Sequence, residues 1–151
     1  MIKKILLGLL AIFLILQIFQ IDKNNPSYDA QQDYLSAVDV PDNLRALLKD
    51  ACYDCHSHET KYPWYSYVQP VGWWLKDHVK DGKKHLNFSE WMTYAPKKAK
   101  HKLEECFEEL ENGAMPLKPY RFTHAEARLS DEQRQELVTW FKNQYNDYPL
   151  D

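Results

Sequence analysis

The hydrophobic and polar positions divide this chain into two unequal parts. Lys3 and Lys4 precede an uncharged run, Ile5 to Ile21, whose only polar side chains are two glutamines. Two cations before an apolar run are typical of a membrane helix with its N-terminus in the cytoplasm. The run is at the short end of the roughly 20 residues that a bilayer requires, and it lacks a small-residue cleavage site. We therefore expect an uncleaved transmembrane signal-anchor over residues 1–22, with a cleaved signal peptide as the alternative.

The next stretch is polar. Residues 23–39, which include Asn24, Asn25 and Pro26, predict a tether, and residues 40–151 are then the functional domain. Under this interpretation the membrane is the first partner, bound through the N-terminal helix. The predicted location is the inner (cytoplasmic) membrane, crossed once, with the C-terminal domain in the periplasm.

Beyond residue 40, apolar side chains recur at helical spacing, and strand-like alternation does not extend beyond a few residues. Two of the predicted helices end near Gly82 and Gly113, and the last one opens with the capping box Ser-Asp-Glu-Gln. The pattern predicts an all-α domain of about four to five helices. Their predicted starts are Pro41, Pro70, Ser89, Pro96 and Ser130.

Composition narrows the functional classes. The 151 residues carry a formal net charge of −3, and 27% of them are charged, which is close to the globular average. This balance argues against a nucleic-acid partner, since nucleic-acid binders are usually basic. Three cysteines are too few for a disulfide framework, and their odd number leaves one unpaired.

Two of the cysteines belong to the pentapeptide Cys52-Tyr53-Asp54-Cys55-His56. C-x-x-C-H is the attachment signature of c-type haem. Thiols on one helical turn can reach both vinyl groups of a single porphyrin, and the histidine that follows then lies beneath the ring. The motif predicts thioether bonds from Cys52 and Cys55, with His56 as the proximal iron ligand.

Two other interpretations of these thiols compete with haem. A redox disulfide between Cys52 and Cys55 normally stands in a βαβ context, whereas this region is helical. The alternative is a zinc site built from Cys52, Cys55, Cys106 and His101. In the predicted helix that begins at Pro96, Cys106 lies on the apolar stripe and His101 lies outside it. The complete pentapeptide favours haem, and Cys106 is expected to be a buried free thiol.

The segment from Cys52 to Tyr120, with GAMPLKPY at its end and HAEARLS after it, resembles the haem-binding domain family of small membrane-anchored c-type cytochromes. The order of a helix, C-x-x-C-H, a Met-Pro loop and a closing helix also resembles cytochrome c. The resemblance implies a cytochrome c-like domain around one covalent haem c. It further implies electron transfer with redox proteins that the sequence does not identify.

Met115 is the expected second axial ligand. It follows the helix stop at Gly113 and precedes Pro116, and Gly-x-Met-Pro resembles the ligand loop of His/Met cytochromes. A methionine ligand raises the reduction potential relative to a second histidine. His78, on the apolar face of its predicted helix, is the main alternative, and His124 is a weaker one.

Further side chains are expected around the porphyrin. His56 should donate its second ring N–H to a backbone carbonyl group, which fixes the ring and tunes the iron. Tyrosine and tryptophan can wall an apolar pocket and donate to propionates from its edge, a proline can supply a bend, and an arginine can pair with a propionate. The candidate pocket residues are Pro63, Trp64, Trp74, Trp91 and Arg121.

The sequence as a whole predicts an electron carrier rather than an enzyme, with one covalent haem c and no substrate chemistry of its own. Two alternatives belong to other functional classes. A haem enzyme or a gas or redox sensor would need an open or weakly ligated iron site. A structural zinc module would bind no haem at all.

Overall fold

The computed structural model describes residues 1–150, in which all the regular secondary structure is helical. In that range the chain forms eight α-helices and four short 3-10 helices, so the all-α prediction is confirmed, with more and shorter helices than expected. The α-helices are α1 (Ile2–Leu16), α2 (Tyr34–Ala37), α3 (Asp42–Ala51), α4 (Tyr53–His56), α5 (Val71–His85), α6 (Pro96–Glu111), α7 (Lys118–Thr123) and α8 (Asp131–Asp147). The 3-10 helices are Ala30–Gln32, Trp64–Tyr67, Phe88–Thr93 and Ala125–Ala127.

The N-terminal helix corrects the transmembrane prediction. Among the helices of residues 1–150, none combines the length and apolar character needed to cross a bilayer. The 15 residues of α1 extend about 22 Å at 1.5 Å per residue, against a hydrocarbon core of roughly 30 Å. The predicted transmembrane element is therefore wrong. The predicted membrane partner and the single-pass inner-membrane location with a periplasmic domain depended on it and are wrong with it.

Two glutamines mark the point where α1 ends. The Gln17 side chain accepts a hydrogen bond from the amide of Gln69 at 2.8 Å and donates to its carbonyl oxygen at 3.1 Å. The Gln20 side chain donates to the carbonyl oxygen of Tyr67 at 3.1 Å. These bonds hold the end of the apolar run against the segment before α5. The sequence pattern alone predicts that the N-terminal helix continues through these glutamines.

The core lies where α6 packs along α8 and α3 meets α8. Leu103 and Leu110 of α6 and Leu137 and Phe141 of α8 are buried there, as their helical spacing predicts. Burial of one such side chain contributes about 1.5–3 kcal/mol to folding. The loop that follows α6 therefore starts from a helix that is packed against α8.

The segment between α1 and α3 also reaches the core. The buried Asp33 caps α2 by accepting a hydrogen bond from the Leu35 amide at 2.9 Å. Tyr34 is buried and packs edge-on against Trp91, with ring centroids 4.8 Å apart. Part of the segment predicted as a tether is thereby held against the 3-10 helix at residues 88–93.

Several helix boundaries agree with the prediction, and two that matter for the site do not. The capping box at Ser130 forms, and Gly113 follows α6 with φ +67°, a conformation that favours glycine. The predicted first helix, however, ends at Ala51 and restarts as α4 after an irregular Cys52. The predicted stop at Gly82 is wrong because α5 continues to His85.

Candidate functional site

A cavity of about 400 Å³ opens between two groups of elements. The first group consists of Cys52, the helix α4 that follows it, and α5, which packs against α4. We term the lining residues of this group the motif wall. The second group consists of the end of α6, the loop after it and α7, and its lining residues form the loop wall. Cys52, Cys55 and His56 belong to the motif wall, and Met115 belongs to the loop wall. The structure therefore brings the predicted attachment residues and the predicted distal ligand to one space.

The C-x-x-C-H turn is closed by its own backbone. The amides of Cys55 and His56 both donate to the carbonyl oxygen of Cys52, at 3.2 and 2.9 Å. Because one acceptor serves both amides, the turn is tight, and all three side chains of the motif line the cavity. Cys52 and Cys55 form no disulfide, so both thiols are available for other bonds.

Burial keeps these thiols protonated. It raises the pKa of Cys52 to about 12, with the neighbouring Cys55 adding to the effect. It also raises the pKa of Cys55 to about 11, with Asp54 adding to the effect. Cys106 on α6 lines the same cavity, is free as predicted, and has a pKa that burial likewise raises. It is partly rather than fully buried, because the cavity lies beside it.

His56 is oriented by α5. Its Nδ1 atom lies 2.9 Å from the carbonyl oxygen of Gly82 and 3.2 Å from that of Leu86. Carbonyl oxygens only accept, so Nδ1 carries the hydrogen and Nε2 keeps its lone pair. Burial lowers the pKa of His56, which favours the neutral imidazole that binds metals. The expected donation from the ring to a backbone carbonyl group is confirmed.

Gly82 brings α5 close to the motif. A Cβ atom at this position would lie 2.6 Å from the carbonyl oxygen of Cys55, a distance that real side chains do not tolerate. The absence of a side chain thus allows the Gly82 carbonyl group to reach His56. The sequence pattern suggests that Gly82 ends a helix. The true reason for the glycine, its contact with Cys55, cannot be seen in the local pattern because Cys55 lies in a distant segment.

The two residues between the cysteines of the motif, Tyr53 and Asp54, are also held by hydrogen bonds. Tyr53 is buried, its hydroxyl donates to Asp33 at 2.8 Å, and its ring stacks on Phe88 with centroids 5.2 Å apart. Asp54 accepts a hydrogen bond from the hydroxyl of Tyr120 at 2.8 Å. Tyr120 lies on α7 and lines the cavity, so Asp54 links the motif wall to the loop wall.

The two candidate distal ligands lie on different walls. His78 is on α5, one turn before Gly82, and its Nδ1 lies 2.9 Å from the carbonyl oxygen of Trp74. Met115 lies in the loop after α6 and is partly buried at the cavity. Axial ligands bind iron from opposite faces of a porphyrin. His78 shares a wall with His56, whereas Met115 comes from the other wall. The weaker candidate, His124, does not line this cavity and stacks on Tyr120, with ring centroids 4.1 Å apart.

The structure places the candidate pocket residues away from the cavity lining. Trp64 is 78% exposed and Trp74 is 45% exposed, while Trp91 is buried in the core against Tyr34. Pro63 precedes the 3-10 helix at residues 64–67 and lines a separate, much smaller cavity that Cys55 also lines. Arg121 lies on α7, where its carbonyl oxygen accepts a hydrogen bond from Arg128 at 2.7 Å.

Other residues line the cavity without having been predicted. A helical stripe identifies which residues are buried together, but it does not indicate which of them leave a gap between helices. Tyr120 is the missed residue that the sequence indicates most directly, since it ends the GAMPLKPY segment on which the family resemblance rests. The missed lining residues include Gly82, His85, Leu86, Leu117 and Tyr120.

The zinc interpretation finds no matching cluster. Across residues 1–150, no group of three or more His, Cys, Asp or Glu side chains is placed to hold a metal ion. His101 is exposed on α6, where its Nδ1 lies 3.2 Å from a carboxylate oxygen of Glu104.

Comparison with known proteins gives one match. The sequence model of the haem-binding domain family matches residues 11–143, a span that contains the C-x-x-C-H motif and all the cavity-lining residues. Neither the curated proteins nor the solved structures include a match to this chain. The cytochrome c-like outline therefore stays a prediction.

Proposed function

Because the chain belongs to the haem-binding domain family and therefore binds haem, we propose that it is a c-type cytochrome that carries single electrons. It holds one haem c covalently and acts as an electron carrier rather than as an enzyme. The observation that supports this proposal is that Cys52, Cys55, His56 and Met115 all line one cavity.

The chemistry of this cavity suits a haem. Most of the surface of its lining is apolar, as expected of a cofactor pocket. The polar and charged side chains among its lining residues are His56, His78, Asp81, His85, Glu105, Glu109 and Tyr120. Two free thiols stand beside a neutral imidazole whose Nδ1 is already bonded to carbonyl oxygens. A thioether sulfur stands on the other wall. These are the donor types that c-type haem uses.

Attachment uses the two motif thiols. Cys52 and Cys55 would hold the haem through thioether bonds, each of which would form by addition of one S–H group across one vinyl group with no atom lost. The hydrogen bonds of the turn to the Cys52 carbonyl group hold both sulfurs on the same wall during the reaction.

The ligands divide between the walls. His56 would hold the iron through Nε2, because the carbonyl oxygens of Gly82 and Leu86 accept the hydrogen of Nδ1. These hydrogen bonds fix the ring and would strengthen it as a donor. Met115 is the better distal ligand than His78 because it approaches from the other wall. When bound, haem supplies an iron centre that takes up and releases one electron. With His56 and Met115 both bound, the iron would have no position left for a substrate or a gas.

The test is to express the chain together with a c-type haem maturation system and to analyse the product. We expect haem to stay on the chain in a denaturing gel and the reduced protein to show a six-coordinate spectrum that carbon monoxide does not change. Haem that separates from the denatured chain would overturn covalent attachment. Rapid carbon monoxide binding would overturn the carrier function and favour an open-site enzyme or sensor.

A further inference from the structure

Arg134 connects α8 to the segment that carries Met115. Its Nη1 atom donates to the carbonyl oxygen of Leu110 at 2.9 Å and to that of Met115 at 2.8 Å. Arg134 is partly buried, and within residues 1–150 it forms no ion pair with a carboxylate. Its charge is therefore directed at these two carbonyl groups.

The other polar group of the Met115 backbone is held as well. The Met115 amide donates to the carbonyl oxygen of Glu109 at 3.1 Å. With both N–H and C=O held, the direction of the Cα–Cβ bond of Met115 is set by the backbone. That direction brings Met115 to the cavity it lines.

Helix capping explains only part of this arrangement. The last carbonyl groups of α6 have no partner within the helix, and a cation near that end is favourable, which accounts for the bond to Leu110. Met115 lies outside α6, so its bond to Arg134 does not complete the helix. The same nitrogen instead ties the loop to the helix end.

We propose that Arg134 is a positioning residue that holds the Met115 sulfur at the haem iron. This inference rests on the proposed function, in which Met115 is the distal ligand. Arg134 does not touch the iron; it acts through the Met115 carbonyl group. Arg134 lies on α8, which packs against α6.

Loss of this guanidinium group weakens the hold on the loop. A hydrogen bond from a charged donor is stronger than a neutral one, and its removal leaves the Met115 carbonyl group without its partner. A loosened sulfur competes less well with an added ligand. Imidazole is a suitable probe because it binds oxidised haem iron when the distal ligand leaves.

The experiment uses the haem-loaded protein and compares R134Q, R134K and R128Q with the unaltered chain. Arg128 is a matched control because its Nε and Nη2 donate to the carbonyl oxygens of Arg121 and Phe122, at 2.7 and 3.0 Å, away from Met115. Two properties of the oxidised protein are measured: the sulfur-to-iron charge-transfer band and the apparent affinity for imidazole.

We expect R134Q to bind imidazole about tenfold more tightly and to lose part of the charge-transfer band. R134K, which keeps the charge and a donor, should fall between R134Q and the unaltered chain, and it replaces R134Q if that variant does not accumulate. R128Q should stay within about twofold of the unaltered chain. Imidazole affinity unchanged in the Arg134 variants, or raised equally in R128Q, would overturn the inference.

Failure of the proposed function gives a different result. If the unaltered protein has no sulfur-to-iron band and M115A leaves its spectrum unchanged, Met115 is not the ligand, and the proposed ligation and this inference fail together. If the band is present and M115A removes it while R134Q does not weaken it, only the role of Arg134 is overturned.

Discussion

The Nδ1 atom of His56 lies 2.9 Å from the carbonyl oxygen of Gly82, and the same glycine has no room for a side chain. A Cβ atom there would meet the carbonyl oxygen of Cys55 at 2.6 Å. One residue of α5 therefore serves two residues of the motif. Its carbonyl group holds the imidazole, and its missing side chain permits the approach.

Gly82→Ala should separate α5 from the motif. We expect the variant to lose about 1–3 kcal/mol of unfolding free energy, as overpacked positions do, and to incorporate less haem. Gly8→Ala is the matched control, because a Cβ at Gly8 meets no atom within 4 Å. Denaturant unfolding of both variants gives the comparison. Equal stability of the two would show that the close approach at Gly82 is unimportant.

Met115→Ala should open the iron on one face. We expect rapid carbon monoxide binding by the reduced protein and a lower reduction potential, since a methionine ligand raises the potential. His78→Ala, the control on the motif wall, should leave both properties unchanged. The measurements are carbon monoxide difference spectra and a redox titration. A carbon monoxide response in His78→Ala alone would assign the distal ligand to His78.

The number of free thiols reports covalent attachment. The chain has three cysteines, none in a disulfide, so the denatured haem-free protein should react with three equivalents of a thiol reagent. The haem-loaded protein should react with one, at Cys106, and Cys106→Ser should reduce that to zero without loss of haem. Three reactive thiols in the haem-loaded protein would contradict the thioether bonds at Cys52 and Cys55.

The stability of the fold should depend on pH through Glu59. Burial alone would raise the pKa of this carboxyl group, but hydrogen bonds from Lys49 and Tyr28 outweigh burial and hold it below its ordinary value of 4.5. The folded state binds the proton less tightly than the unfolded state, so the stabilisation is present above about pH 4.5 and is lost as the pH falls through the lowered pKa.

Glu59→Gln tests this dependence. Because the pair is partly exposed, we expect it to lose at most about 1 kcal/mol near neutral pH, and the difference from the unaltered chain should shrink in acid. Glu126→Gln, at an exposed position, is the control. Unfolding free energies measured across the acid range give the comparison, and a difference that is constant with pH would exclude the assigned role of Glu59.

Local signals predicted much of this fold and the centre of the site. The capping box at Ser130, the glycine after α6 and the C-x-x-C-H turn each depend on residues within one or two helical turns, so their spacing is enough to identify them. Met115 was also predicted locally, from its place between Gly113 and Pro116. The structure adds that the motif and Met115 face the same cavity.

Contacts between distant segments could not be predicted in this way. Gly82 looks like a helix stop until Cys55 is placed against it, and Trp91 looks like a pocket residue until Tyr34 is placed against it. The N-terminal run is close to the length of a membrane span in the sequence, but its helix ends at Leu16, and the next residue, Gln17, is bonded to Gln69. Each error has the same physical cause: the partner that decides the structure lies far away in the chain.

The hydrogen bonds of Tyr53 and Asp54 change how the attachment motif is to be understood in protein engineering. The two positions written as x are occupied by side chains that anchor the turn to Asp33 on one side and to Tyr120 on the other. Transplanting the pentapeptide into another helical scaffold would carry over the reactive groups but not these anchors. A transferable unit would also include the residues that receive Tyr53 and Asp54, so the proposed attachment site is a three-dimensional arrangement rather than a stretch of sequence.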